Sequence, residues 1–254
     1  VSSKHGATGD SRAALARRLL SLVDLTSLNA SDDEASTVKL SRLARTEAGQ
    51  VAAVCTWGRL IAVARESLRG SGIAVAAVAN FPAGSADLDA AVADTMAAIA
   101  AGADEVDVVF PYRQFLAGDD QIGLQLVRAC RAACGDRVLL KVILETGQLA
   151  LPPLIQRAAA IAIEGGAHFL KTSTGKTEPG VTVEGATALL AAIVEARSRG
   201  VQVGFKVSGG IRTIGQAQTY LQLYESRLGT DSAQPGNFRI GASALVNELL
   251  SQLQ

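Results

Sequence analysis

The chain has 254 residues, with 24 basic and 24 acidic side chains and no formal net charge. A hydrophobic fraction of 48% excludes disorder over most of its length and supplies a substantial core. No Lys/Arg run exceeds two residues, which argues against a nucleic-acid partner, and no stretch of 18 uninterrupted apolar residues could cross a membrane.

In chain order, a polar leader over 1–10 precedes a predicted helix over 12–21. Predicted strands then fall at 22–26, 51–57, 73–80, 105–110, 138–146, 168–174, 201–208 and 237–242. Between and after them, Ala/Leu-rich segments at 32–48, 59–68, 86–101, 121–133, 153–164, 183–197, 214–227 and 244–253 have helical length and composition. Several strands are near-continuous runs of Val, Ile and Ala, as in parallel strands covered by helices. Eight βα units in one chain of this size predict a TIM (β/α)8 barrel with an extra N-terminal helix. Residues 11–254 read as one catalytic domain. A doubly wound sheet would need G-x-G-x-x-G after its first strand, and that fingerprint is absent.

The cations are 18 Arg and only 6 Lys, and four of those lysines lie between 141 and 206. Three of them, with one aspartate, occupy predicted strands that should be apolar: Asp107, Lys141, Lys171 and Lys206, on the fourth to seventh strands. Each alone fits an end-of-strand residue reaching solvent or a buried ion pair. Four on consecutive strands of a barrel point to a site. An amine is nucleophilic only when unprotonated, and burial beside other cations lowers a lysine pKa. The cluster is expected to depress its members mutually, with the carboxylate moving protons, which is Schiff-base chemistry. The only histidines are His5 and His168, so no three-histidine zinc site can form, and neither metal nor cofactor is expected. Strand alternation sends His168 away from Lys171.

Gly209 and Gly210 after the seventh strand, and Gly241 and Ser243 at the end of the eighth, suit phosphate binding by backbone N–H groups; they also read as ordinary turn residues and a helix cap. Thr174, Gly175 and Lys176 after the sixth strand add donors. The three cysteines show no metal-binding spacing, and the reducing cytoplasm is the expected compartment.

These residues sit in runs that resemble deoxyribose-phosphate aldolase, a class I aldolase family of the TIM-barrel type. The resemblance spans roughly 19–250. It is carried by Val23-Asp-Leu-Thr-Ser-Leu-Asn29, Asn80-Phe-Pro-Ala-Gly84, Glu105-Val-Asp-Val-Val-Phe110, Leu140-Lys-Val-Ile-Leu-Glu-Thr-Gly147, Lys171-Thr-Ser-Thr-Gly-Lys176, Gly209-Gly-Ile-Arg212 and Arg239-Ile-Gly-Ala-Ser243. It implies reversible cleavage of 2-deoxy-D-ribose 5-phosphate to D-glyceraldehyde 3-phosphate and acetaldehyde. It also implies Lys171 as the imine-forming lysine, Lys206 as the cation that keeps it reactive, Asp107 as the proton-moving group and Lys141 as their orienter. Gly175, Lys176, Gly209, Gly210 and Ser243 match the family's phosphate region, and Asp24, Thr26 and Cys55 match positions near its pocket. The partners implied are a small-molecule sugar phosphate and an aldehyde, and a homodimer suits this size. The family's usual Pro-Ala after the second lysine is here Val207-Ser208, and its second serine after Ser243 is Ala244. No Tyr follows Tyr224, so proton transfer by a terminal tyrosine is not expected. The alternatives are a Schiff-base aldolase for another phosphorylated sugar, or a phosphosugar-binding barrel without chemistry, for which a depressed-pKa amine would have no use.

Overall fold

The computed structural model describes residues 6–253, with side chains from residue 12 onward. Its frame is eight parallel strands that close on themselves in chain order. They are β1 (Val23–Thr26), β2 (Ala53–Thr56), β3 (Ala74–Ala79), β4 (Glu105–Val109), β5 (Leu139–Ile143), β6 (Phe169–Lys171), β7 (Gly204–Ser208) and β8 (Phe238–Ala242). The last strand pairs back onto the first through Val23↔Ile240 and Leu25↔Ala242. Each predicted strand contains one of these, and the TIM barrel is the fold.

The helices are α1 (Gly6–Ser21), α2 (Glu34–Leu43), α3 (Ile61–Ser67), α4 (Leu88–Ala100), α5 (Tyr112–Leu116), α6 (Asp120–Cys134), α7 (Thr146–Leu149), α8 (Pro152–Glu164), α9 (Val183–Ser198), α10 (Ile214–Leu228) and α11 (Leu245–Ser251). The extra N-terminal helix is α1, which packs against α10, α11 and a small hairpin. It begins at Gly6 rather than at 12, because helix propagates cooperatively from the turns anchored by buried Ala16, Leu19 and Leu20. Of the expected leader, residues 1–5 lie outside the described residues. The helix expected over 32–48 stops at Leu43. Beyond it Arg45–Thr46 and Gly49–Gln50 pair as a short antiparallel hairpin, tied by the Thr46 hydroxyl donating to the Gly49 carbonyl at 3.0 Å. Among the described residues no helix is long and apolar enough to cross a membrane.

Helices α2, α4, α6, α9 and α10 start at Asp33, Asp87, Asp119, Thr182 and Thr213. Each of these side chains accepts a backbone N–H three residues on, satisfying an orphan donor of the first turn. Strand alternation then sorts the core into two. On β3, Val75, Ala77 and Ala79 join the large apolar cluster beneath the helices, whereas Ala76 and Val78 join a small separate cluster with Leu28 and Cys55. The same period on β1, β5, β7 and β8 sends Val23, Leu25, Leu140, Val142, Phe205, Val207, Phe238 and Ile240 outward. That leaves Asp24, Lys141, Lys206 and Arg239 for the interior. Barrel interiors of this kind are usually filled by Val, Ile and Leu; much of this one is charged.

Candidate active site

Register brings the charges together. Asp107 lies beside Lys141 across β4–β5, Lys171 beside Lys206 across β6–β7, and Lys206 beside Arg239 across β7–β8. Asp107 is the hub. Its Oδ1 accepts from Lys141 Nζ at 2.8 Å, and its Oδ2 accepts from Lys171 Nζ at 2.8 Å and Lys206 Nζ at 2.7 Å. A second tier lies under it. Lys206 Nζ pairs with Asp24 Oδ2 at 2.5 Å and Lys141 Nζ with Glu105 Oε2 at 2.5 Å. Arg239 bridges those two carboxylates, with Nη1 2.6 Å from Asp24 Oδ1 and Nη2 2.8 Å from Glu105 Oε1. Gly241 leaves the room this needs, since a Cβ there would lie 2.9 Å from Ser208 Cβ and 3.2 Å from Lys206 Cε.

All these groups are buried. Three carboxylates (Asp24, Glu105, Asp107) meet three cations (Lys141, Lys206, Arg239), and Lys171 is a fourth cation site without a further carboxylate. Burial works against the charge of every lysine. At Lys171 burial, helped by the neighbouring Lys206 ammonium, outweighs Asp107, and its pKa lies below the ordinary lysine value. At Lys206 burial is outweighed by Asp107 and Asp24, and at Lys141 by Asp107 and Glu105, so both are raised. The mutual depression expected of the lysine cluster therefore holds only at Lys171, because the buried carboxylates keep the other two charged. Burial would raise Asp107, but Lys141, Lys171 and Lys206 hold it well below the usual carboxylate range.

A cavity of about 250 Å³ opens at the C-terminal end of the barrel, where Lys171 reaches it. Its walls are 26–29 at the end of β1 and beyond, 174–176 after β6, 208–212 at the end of β7 and beyond, and 241–244 at the end of β8 and beyond. Thr26, Thr174, Gly175, Lys176, Gly209, Gly210, Gly241 and Ser243 all line it. Asp24 and Cys55 do not. Asp24 is held in the second tier by Lys206 and Arg239, and Cys55 packs with Leu28, Ala76 and Val78. Lys176 Nζ donates to the Leu28 carbonyl at 2.7 Å, spanning the mouth from the β6 loop to the β1 loop. The β1 loop is itself held by Trp57 Nε1 on the Asn29 carbonyl (2.9 Å) and Arg59 on the Asp32 carbonyl (2.6 Å). His168 immediately precedes β6, its Nδ1 accepting from the Leu140 N–H at 2.9 Å.

Sequence reasoning passed over Glu105 and Arg239. The signal was present: each stands two residues before an inward position, Asp107 and Gly241, so period two puts it on the same face. It also passed over Glu145, which is buried and accepts from the Thr174 hydroxyl at 2.5 Å. Ser208, where the family usually has Ala, ties β7 to the β6 loop by donating to the Ser173 carbonyl at 2.6 Å.

The sequence profile of the DeoC/LacD family of aldolases matches residues 18–244. Among solved structures the chain is similar to a provisionally named deoxyribose-phosphate aldolase of Toxoplasma gondii ME49, with a TM-score of 0.88 and 25% identity over 96% of each chain. It is similar to a provisionally named one of Coccidioides immitis, with a TM-score of 0.77 and 30% identity over 92% of this chain and 85% of that one. The tetrameric deoxyribose phosphate aldolase of Aeropyrum pernix shares the fold, with a TM-score of 0.77 and 24% identity over 96% of this chain and 95% of its own.

Proposed function

Since this chain belongs to the DeoC/LacD family of aldolases, we propose that it cleaves 2-deoxy-D-ribose 5-phosphate reversibly to D-glyceraldehyde 3-phosphate and acetaldehyde, through an imine on Lys171. The observation that carries this reading is the position of Lys171. It opens into the cavity, lies 2.8 Å from a buried carboxylate, and is the lysine of the cluster whose pKa falls.

The neutral Nζ attacks C1 of the open-chain sugar, and loss of water gives a protonated imine. Asp107, acting through a water, takes the proton of the C3 hydroxyl. The C2–C3 bond then breaks, its electron pair moving toward the imine nitrogen. C3 leaves as the aldehyde carbon of glyceraldehyde 3-phosphate, and C1 and C2 remain as an enamine. Protonation of C2 and hydrolysis of the resulting imine consume the water released earlier and free acetaldehyde and the amine. Lys206, held charged by Asp24 and Asp107, keeps a positive field beside the reacting nitrogen. Lys141 fixes the carboxylate plane of Asp107 by a bond to its other oxygen. The phosphate is received by Lys176 and by the backbone N–H groups around Gly175, Gly209, Gly210 and Ser243, with Ala244 supplying no hydroxyl. The three cysteines are free and buried, in keeping with work in the reducing cytoplasm.

Borohydride reduction with acetaldehyde or the sugar phosphate, followed by peptide mapping, is expected to leave a stable adduct on Lys171. The Lys171→Ala variant is expected to fold and to lose turnover. An adduct on another lysine, or turnover retained by the variant, overturns the mechanism. Equal use of deoxyribose with and without its phosphate overturns the substrate.

A further inference from the structure

We propose that Arg239 is a positioning residue for this reaction: its fork across Asp24 and Glu105 completes the charge balance that leaves Lys171 as the uncharged amine. The inference rests on the Lys171 reading above and extends it to a side chain that lines no part of the cavity.

The geometry is that of a shared load. Asp24 gives one oxygen to Lys206 and the other to Arg239, and Glu105 is shared between Lys141 on Oε2 and Arg239 on both oxygens. The guanidinium carbon lies over the ring of Phe169, 5.8 Å from its centroid. The planar fork gives each carboxylate its own N–H edge, on a cation that does not give up its proton in a protein. Without Arg239 the three buried carboxylates would face only Lys141 and Lys206. The nearest group able to supply the missing charge is Lys171, by keeping its proton. Charges this deep interact strongly across several ångströms, so the second tier is felt at the reacting nitrogen.

Seven other strands surround Lys171. Asp24 comes from β1, Cys55 from β2, Glu105 and Asp107 from β4, Lys141 from β5, Lys206 from β7 and Arg239 from β8, while β3 offers only Ala and Val. Cys55 is neutral at ordinary pH, since burial, with Asp107 beside it, pushes its thiol up. The balance is thus set by the three carboxylates and the three permanent cations.

The test is the acid limb of the pH profile of kcat/KM, which reports the free enzyme. It is measured for Arg239→Met, Glu105→Gln and the double variant, with adduct mapping on Lys171 in each. Removing the cation is expected to move the limb upward by about one pH unit, and removing the carboxylate to move it downward by about one unit. The double variant, balanced again, is expected to return close to the parent profile. A purely structural role would lower activity in each variant without opposite displacements. Displacements of the same sign, no displacement, or a double variant that stays shifted overturn the proposal. Should Arg239→Met fail to fold, Glu105→Gln and the neutral double variant still decide it by the same signs. An adduct on Lys171 with an unmoved limb overturns this inference alone, whereas no Lys171 adduct in the parent enzyme overturns the reaction reading and this inference together.

Discussion

Glu145 is a small case of how one residue serves a site it does not enter. It is buried, its backbone is left-handed at φ 54°, and its carboxylate accepts from both the hydroxyl and the N–H of Thr174. The Thr174 hydroxyl in turn accepts the Lys176 N–H at 3.0 Å. Thr174 therefore lines the cavity with its hydroxyl proton already committed to Glu145, and it holds the Lys176 backbone in place. A hydrogen bond to a charged group is worth about 1.5–3 kcal/mol. Glu145→Gln is expected to raise KM for the sugar phosphate by roughly tenfold and to change kcat little, as checked by steady-state kinetics. A kcat loss with unchanged KM would place Glu145 in the chemistry instead. Nothing local in Leu-Glu-Thr distinguishes such a glutamate from a solvated loop charge, because its partner is 29 residues away. Asp107 and the three strand lysines were legible for the opposite reason: a charge inside an apolar strand conflicts with its own neighbours.

At the scale of elements, the connection from β6 to α9 bears on the cavity most. It is fastened on both sides: Gln148 Nε2 donates to the Glu178 carbonyl at 2.9 Å, and the Val181 N–H donates to the Gly209 carbonyl at 3.1 Å. It also passes so close to α7 that a Cβ on Gly147 would overlap the Pro179 carbonyl oxygen. Gly147→Ala is expected to displace this connection, costing about 1–3 kcal/mol of stability and raising KM for the phosphorylated substrate, read from thermal melts and kinetics together. The strands were readable from their apolar runs. The short helices α5 and α7 and the hairpin at 45–50 were not, because they depend on contacts with distant segments rather than on periodicity. The predicted strand over 138–146 ran past Ile143 for that reason; Glu145 turns the chain where composition alone continues it.

For the whole molecule, the charged interior makes stability depend on pH at both ends. Asp24 and Asp107 lie below the ordinary value of 3.8, their cations outweighing the cost of burial. Their ionised forms stabilise the fold fully above that value, and the contribution is lost as pH falls from it toward the folded values. Lys141 and Lys206 lie above the ordinary 10.5, their carboxylates outweighing burial. Their contribution is full below 10.5 and is lost as pH rises through the folded values. Lys171, lowered by burial, acts in the opposite sense, and its cost is relieved as pH rises toward 10.5. Melting temperature is expected to fall in acid below about pH 4 and in alkali above about pH 10.5, and to rise modestly toward the alkaline end of the range between them as Lys171 sheds its proton; a maximum in acid would contradict these assignments. The barrel itself was legible from eight apolar runs and their spacing, whereas the pairing within its second tier of charges was not, since only strand register fixes which of them meet.

That pairing is also long-range along the chain. Arg239 is 215 residues from Asp24 and 134 from Glu105, and Lys206 is 99 from Asp107. During synthesis β8 is the last strand to arrive, and only its docking closes the ring and delivers the third permanent cation to the interior. On the inference above, a partly made or partly unfolded chain keeps Lys171 protonated and inert. Reactivity toward aldehydes would then appear only with the finished barrel, so an unfinished chain carries no activated amine for an aldehyde to modify.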